Sequence, residues 1–181
     1  MKKLLVLGGG SPRNRAWGEA CIQYFKDRFD SAYFMQYDHW VSGEPNLNFQ
    51  TELNKYEEVV RNSNEQDEWF VYAKSVGSIL TLKAVAAGLF TPSHCVFFGM
   101  PFSVFNDTVV KDEFLIIESF SVPTLAFHND NDPTALYELT KKIIDEVMPT
   151  VTLKTLQGDT HDYLDFSQYV EDIDAFTATR L

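Results

Sequence analysis

The chain has 181 residues, 45% of them hydrophobic and 14% aromatic, enough to bury one sizeable core but not two. Its 26 acidic residues outnumber 15 basic ones, and the formal net charge of −11 repels nucleic acid and anionic membrane surfaces, which argues against both as partners. No run approaches the ~18 apolar residues a membrane span requires, and Cys21 and Cys95 fall inside apolar patterns that read as buried free thiols, suited to a reducing cytoplasm.

The N-terminus, MKKLLVLGGGSPRN, starts like an export signal, but a glycine-rich polar turn follows an apolar run of only about five residues, so it reads as a first strand over 4–7. Trp17, Cys21, Tyr24, Phe25 and Phe29 then recur at helical spacing. AYFMQY (32–37) is a second strand, and it runs into DHWVSGEPNLN (38–48), an irregular stretch long enough to serve a site. Phe49, Leu53, Tyr56 and Val60 mark the next helix, and WFVYA (69–73) the third strand. After the turn at 73–77, Val76, Ile79, Leu80, Leu82, Val85 and Leu89 are apolar nearly all round, with Lys83 as the only charge, as in a helix packed centrally on a sheet. CVFFGM (95–100) is the fourth strand. The segment 101–122 has room for about one short crossover helix, around Phe114, Ile117 and Phe120, and little else. PTLAFH (123–128) and VTLKTL (151–156) are the last two strands; Leu136, Leu139, Ile143, Ile144 and Val147 give a helix between them, and Phe166, Tyr169, Val170, Ile173 and Phe176 a final one. Several strands are apolar without alternation, as in a parallel sheet covered on both faces. The expected class is therefore α/β, doubly wound, a single domain over 1–181.

Ligands of such sheets sit beyond the carboxyl ends of the strands. The segments there are Gly8-Gly9-Gly10-Ser11, Asp38-His39-Trp40, Lys74-Ser75, Met100-Pro101-Phe102, Asn129 to Asp132 and Gln157 to Asp162. Ala73-Lys74-Ser75-Val76-Gly77 has the form small-x-Ser-x-small of a nucleophile elbow, in which a strand passes straight into a helix and bulky residues two positions either side of the serine would collide. Ser78, flanked by Val76 and Leu80, fails that requirement. Two readings of Ser75 compete: a helix cap, or a nucleophile held at a helix N-terminus where backbone N–H groups favour developing negative charge. Downstream, Asp130 and Asp132 follow the fifth strand and His161 follows the sixth. The order Ser, Asp, His, each after its own strand, is that of a hydrolase triad. Asp132 before Pro133 also reads as an N-cap, and His161 also reads as a solvated loop histidine.

These motifs together resemble the α/β-hydrolase superfamily, over essentially the whole chain. His128-Asn129-Asp130-Asn131-Asp132-Pro133 resembles the family's His-Gly-x-x-Asp-Pro loop, which implies that the triad acid is Asp132. Gly158-Asp159-Thr160-His161 resembles the approach to its catalytic histidine, and Leu7-Gly8-Gly9-Gly10 its oxyanion-hole loop. The resemblance implies the family's last six strands in the order 2-1-3-4-5-6, Ser75, Asp132 and His161 as catalytic residues, and Gly9, Gly10 and Val76 at the oxyanion hole. It also implies a lid-less serine hydrolase of the esterase, thioesterase or dienelactone-hydrolase kind, with a small-molecule acyl substrate, no cofactor and no metal. Two positions depart from the family pattern: Ala73 stands for glycine at the elbow and Asn129 for glycine in the acid loop. His39, Trp40, Phe102 and Phe105 are candidates to line an apolar acyl pocket, with plain packing as the alternative. Arg13 and Arg15 read as helix-start surface residues, and Lys74 as a structural ion-pair partner.

Other readings fit less of the sequence. A nucleotide-binding Rossmann domain would use Gly8-x-Gly10 and Asp38, but the third glycine is replaced by Arg13 and Pro12 lacks the N–H that would face phosphate. No His-x-x-x-His or Cys-x-x-Cys pair suggests a metal site, and Asp130-Asn131-Asp132 lacks the rest of a calcium loop. A catalytically inactive hydrolase-like binding protein would share the fold.

Overall fold

The computed structural model describes residues 1–61, 64, 66–102 and 115–178. Six strands, β1 (Lys2–Leu7), β2 (Ser31–Met35), β3 (Glu68–Lys74), β4 (His94–Phe98), β5 (Thr124–Asn129) and β6 (Val151–Leu156), form one parallel sheet in the order β2-β1-β3-β4-β5-β6. The non-alternating strands are the inner ones: β4 and β5 are buried along their whole length, whereas edge strand β6 alternates toward solvent. Side chains of β1 leave alternately on the two faces. Leu5 and Leu7 join a core with Tyr56, Ile79, Leu80, Phe97 and Ile144, which places helices α3 (Phe49–Arg61), α4 (Val76–Ala86) and α5 (Tyr137–Val147) on that side. Leu4 and Val6 join Trp17, Phe25, Tyr72, Phe98, Phe127 and Ile173, under α1 (Asn14–Phe25) and α6 (Val170–Thr177). Helices thus cover both faces, as the apolar strands require.

The registers Leu7↔Ala73, Lys74↔Phe98, Phe98↔Phe127 and Asn129↔Leu156 bring the carboxyl ends of β1, β3, β4, β5 and β6 nearly level, so the loops that follow them meet at one edge. The second and fourth strands end two residues earlier than expected, at Met35 and Phe98, α4 ends at Ala86 before Leu89, and three further details differ. Phe29 lies past α1, after a 3-10 turn over Lys26–Arg28, in extended backbone where it packs on Phe70 and Tyr72. The stretch 38–48 opens with a helical turn, α2 (His39–Ser42), which Gly43 ends at φ +79°. The C-terminal helix starts as a 3-10 turn at Phe166–Gln168, where Asp165 accepts the Ser167 N–H, and becomes α-helical only at Val170. In the β4–β5 crossover residues 115–118 are helical and Ile117 and Phe120 are buried; Phe105 and Phe114 lie outside the described residues, as does most of the segment 101–122. Cys21 and Cys95 are both free and buried, and burial pushes both thiols well above their ordinary pKa. No described helix is long and apolar enough to cross a membrane.

Candidate active site

Ser75 is where the strand passes directly into the helix. Its backbone takes φ 53°, ψ −125°, a region that costs a non-glycine residue about 1–3 kcal/mol. Its N–H donates to the Phe98 carbonyl at 2.9 Å, which fixes the turn to the end of β4. Although Ser75 occupies the N-cap position of α4, its side chain makes no capping hydrogen bond; the hydroxyl of Ser78 instead donates to the Ser75 carbonyl at 2.7 Å. Of the two readings of this serine, capping is the one its hydroxyl does not perform. The small residues around it answer to contact: a Cβ at Gly77 would stand 2.8 Å from the carbonyl oxygens of Leu7 and Gly8, and Ala73 is fully buried. Helix α4 can begin beside the end of β1 only because position 77 lacks a side chain.

Asp132 divides its two oxygens between structure and chemistry. Oδ1 accepts the N–H groups of Thr134 (2.8 Å) and Ala135 (2.9 Å), which shapes the turn after β5; the helix α5 starts later, with Leu136 at its N-cap. Oδ2 accepts His161 Nδ1 and the Tyr163 hydroxyl, each at 2.7 Å. Burial alone would raise this carboxyl, but the bonds from His161, the Ala135 N–H, Tyr163 and the Thr134 N–H outweigh it and hold the pKa at about 2. An ionised Asp132 can only accept, so His161 Nδ1 is the donor, and in the neutral ring Nε2 carries the lone pair. Nε2 is buried and has no hydrogen-bond partner among the described residues.

The ring of His161 stands over the end of β4. Gly99, at φ +57°, is the residue after Phe98, and a Cβ there would come within 2.8 Å of His161 Cε1 and 2.7 Å of Tyr163 Cε2. The serine turn and the imidazole are therefore both seated on the backbone at 98–99. The acid and histidine loops are joined directly: Asn129 Nδ2 donates to the Thr160 carbonyl at 2.8 Å, the Asn131 N–H to the Gly158 carbonyl at 3.0 Å, and the Gly158 N–H to Asp130 Oδ1 at 3.0 Å. Asn129, the departure from the family's glycine, thus ties the loop that carries His161, and a Cβ at Gly158 would meet its amide oxygen at 2.7 Å. His128 Nε2 bonds the Ala135 carbonyl at 2.9 Å and closes the acid loop from behind.

Facing the elbow, Gly8, Gly9 and Gly10 pass close to their neighbours, most tightly at the first two. A Cβ at Gly8 would be 3.1 Å from Trp40 and one at Gly9 2.8 Å from Asn14 Nδ2, while Gly10 lies in ordinary contact with Val76. Asn14 Nδ2 donates to the Ser11 carbonyl at 3.1 Å, and Asn14 Oδ1 accepts from Lys74 Nζ at 2.7 Å. Lys74 is almost fully buried, and burial holds its pKa down to about 8 against the opposing pull of Asp162 and Asp132. Its hydrogen bond is to the Asn14 amide; the two carboxylates act on it only through space. The N–H groups of Gly9, Gly10 and Val76 have no acceptor among the described residues.

The remaining candidates are spread around this edge. His39 and Trp40 are buried and turned toward the Gly10 carbonyl. Phe102 is buried in the core beneath α3 and α4's side of the sheet, and Phe105 lies outside the described residues. Arg13 is exposed ahead of α1, and Arg15 is half-buried with Nε lacking a hydrogen-bond partner among the described residues. A hollow of about 620 Å³ lies under the 38–48 segment, lined by Asp38, His39, Glu44, Leu47, Asn48 and Glu52 among others, and none of Ser75, Asp132 or His161 lines it. Gly99, Tyr163 and Asn14 carry no sequence motif; the only hint of the first is a glycine closing a strand at the edge already under suspicion.

No protein-family model matches the chain, and no curated protein does either. Many solved structures do match. A serine hydrolase involved in carbazole degradation superposes with a TM-score of 0.73 at 12% identity, over 99% of this chain and 92% of that one. Est1E from Butyrivibrio proteoclasticus, solved with ferulic acid bound, gives 0.75 at 15% identity over 98% and 88%. An α/β serine hydrolase without a lid from Xanthomonas campestris gives 0.68 at 15% identity over 98% and 79%. At these identities the likeness is one of fold, and the chain has the α/β-hydrolase fold.

Proposed function

We propose that this chain is a serine hydrolase that cleaves a small ester or thioester through an acyl-enzyme on Ser75. The observation that carries the reading is the serine itself: a strained residue at a helix start whose hydroxyl does not cap the helix. A strain of this kind persists where the surroundings enforce it for a purpose. The Asp132–His161 pair supports it, because an ionised carboxylate on Nδ1 leaves Nε2 as the basic nitrogen.

In this mechanism Nε2 of His161 takes the Ser75 proton as Oγ attacks the acyl carbonyl, and Asp132 stabilises the imidazolium that results. The carbonyl oxygen becomes an oxyanion, for which the N–H of Val76 and that of Gly9 or Gly10 are the donors available. Collapse expels the alkoxide or thiolate, which takes the proton back from Nε2. Water, deprotonated by the same nitrogen, then attacks the acyl-enzyme and releases the acid. The similarity to esterases and serine hydrolases of the same fold favours acyl transfer over other chemistry on this scaffold.

Hydrolysis of p-nitrophenyl acetate by the purified chain tests the reading. Wild type turns over and Ser75→Ala, His161→Gln and Asp132→Asn each lose about 10³-fold or more in kcat. Turnover that survives Ser75→Ala refutes the assignment, and a well-folded wild type without turnover on any short ester favours an inactive binding protein.

A further inference from the structure

Three side chains that follow β2 in sequence converge on the carbonyls of the glycine loop. The Tyr37 hydroxyl donates to Gly8 O at 2.8 Å in a fully buried position. Trp40 Nε1 donates to Gly10 O at 2.9 Å, and His39 Nε2 meets the same oxygen at 2.5 Å; since a carbonyl only accepts, Nε2 carries the ring's hydrogen. The three rings also pack on one another, Tyr37 with His39 at 5.8 Å between centroids and with Trp40 at 4.9 Å.

In a trans peptide unit the C=O and N–H point in opposite directions. Pinning Gly8 O therefore points the Gly9 N–H away from Tyr37, and pinning Gly10 O points the Ser11 N–H away from His39 and Trp40. The Gly9–Gly10 unit lies between two fixed planes. Three successive glycines would otherwise be the least restricted stretch of the chain, and a loop that donates to a developing oxyanion contributes most when it need not reorganise. Yet a Cβ at Gly8 would crowd Trp40 and one at Gly9 would crowd Asn14, so the loop keeps its glycines and its rigidity comes from outside.

We propose that Tyr37, His39 and Trp40 are positioning residues for the oxyanion loop: hydrogen bonds from their rings to Gly8 O and Gly10 O set the peptide planes of 8–11. The proposal rests on the serine-hydrolase reading and deepens it, because it gives His39 and Trp40 a role behind the loop instead of in an acyl pocket. In this role none of the three needs to touch the substrate.

Trp40→Phe and Tyr37→Phe keep a ring and remove a donor, and His39→Leu removes one where His39→Gln retains an amide N–H near the place of Nε2. On p-nitrophenyl acetate, kcat falls about 10-fold in each donor-deleted variant and at least 100-fold in Tyr37→Phe/Trp40→Phe, with KM within about twofold, while His39→Gln recovers most of the loss seen in His39→Leu; direct removal of an oxyanion donor costs about 10²–10³. A phenylboronic acid, whose serine adduct is tetrahedral, loses affinity in proportion to kcat, whereas the affinity of the product acid does not move. This ratio is read on folded protein and holds even if one variant is less stable. Unchanged kcat and boronate affinity in all donor-deleted variants, or equal losses for boronate and product acid, overturns the proposal while leaving the hydrolase reading intact. A wild type that a fluorophosphonate does not label overturns both.

Discussion

Lys74 precedes the serine and is 5% exposed, and replacing it with methionine should not weaken the fold, contrary to what most buried substitutions do. Burial brings its pKa from 10.5 to about 8, a difference that corresponds to about 3 kcal/mol of penalty on the charged form at neutral pH. Methionine keeps most of the stem's packing and removes the charge, but it leaves Asn14 Oδ1 without its donor, at a cost of about 1–3 kcal/mol. Lys74→Met is therefore expected to be between equal to wild type and about 2 kcal/mol more stable at pH 7. The dependence on pH has a defined sign. Between pH 8 and 10.5 the unfolded chain still holds the lysine proton that the folded chain has released, so wild-type stability gains from this group as pH rises, and the advantage of the methionine variant shrinks. Urea unfolding of both proteins at pH 7, 9 and 10.5 reads this out. A Lys74→Met protein less stable than wild type by more than about 1 kcal/mol at pH 7, or a gap that does not change with pH, refutes the reasoning.

Gly99→Ala places a methyl 2.7 Å from Tyr163 and 2.8 Å from His161 at φ +57°; it should cost about 1–3 kcal/mol in a thermal or urea melt and lower kcat at least 10-fold, whereas Gly88→Ala, also at positive φ but with open space around it, lowers stability alone. Asp132, with a folded pKa of about 2 against an ordinary 3.8, contributes about 2 kcal/mol of stability that is full above the ordinary value and lost as pH falls through 2, so the acid-unfolding curve of Asp132→Asn should lack that component. Gly77→Ala drives a methyl to 2.8 Å from two fixed carbonyls and should abolish soluble expression or lower the melting temperature by several degrees. With p-nitrophenyl esters of increasing length, a site open at this edge gives a kcat/KM that peaks at short acyl chains, since it would bury few methylenes at ~0.8 kcal/mol each; a steady rise through long chains contradicts an open site.

Much of this was legible in the sequence because one physical cause acts alone at each place. A strand buried on both faces is written as a run of apolar residues, so β4 and β5 lie on the apolar runs at 95–98 and 124–128, and the parallel sheet follows from the crossover helices between runs. Small residues at 73 and 77 encode a steric requirement that the Leu7 and Gly8 carbonyls make concrete. What could not be read depends on contacts across the sheet. Gly99 is a glycine because the ring of His161, 62 positions later, lies on it. Tyr163 binds Asp132 and Trp17 Nε1 donates to the Tyr163 carbonyl, pairings between loops and a helix that no local pattern announces. Phe29 and the start of the last helix were misplaced for a simpler reason: an apolar residue at helical spacing packs equally well from extended or 3-10 backbone.

Incubation with a fluorophosphonate followed by intact-mass and peptide mapping tests the central claim most directly. The account predicts one adduct per chain, on Ser75, formed faster in wild type than in His161→Gln and absent from Ser75→Ala. A folded wild type that stays unlabelled under conditions that label a known esterase, or an adduct on any other serine, contradicts it.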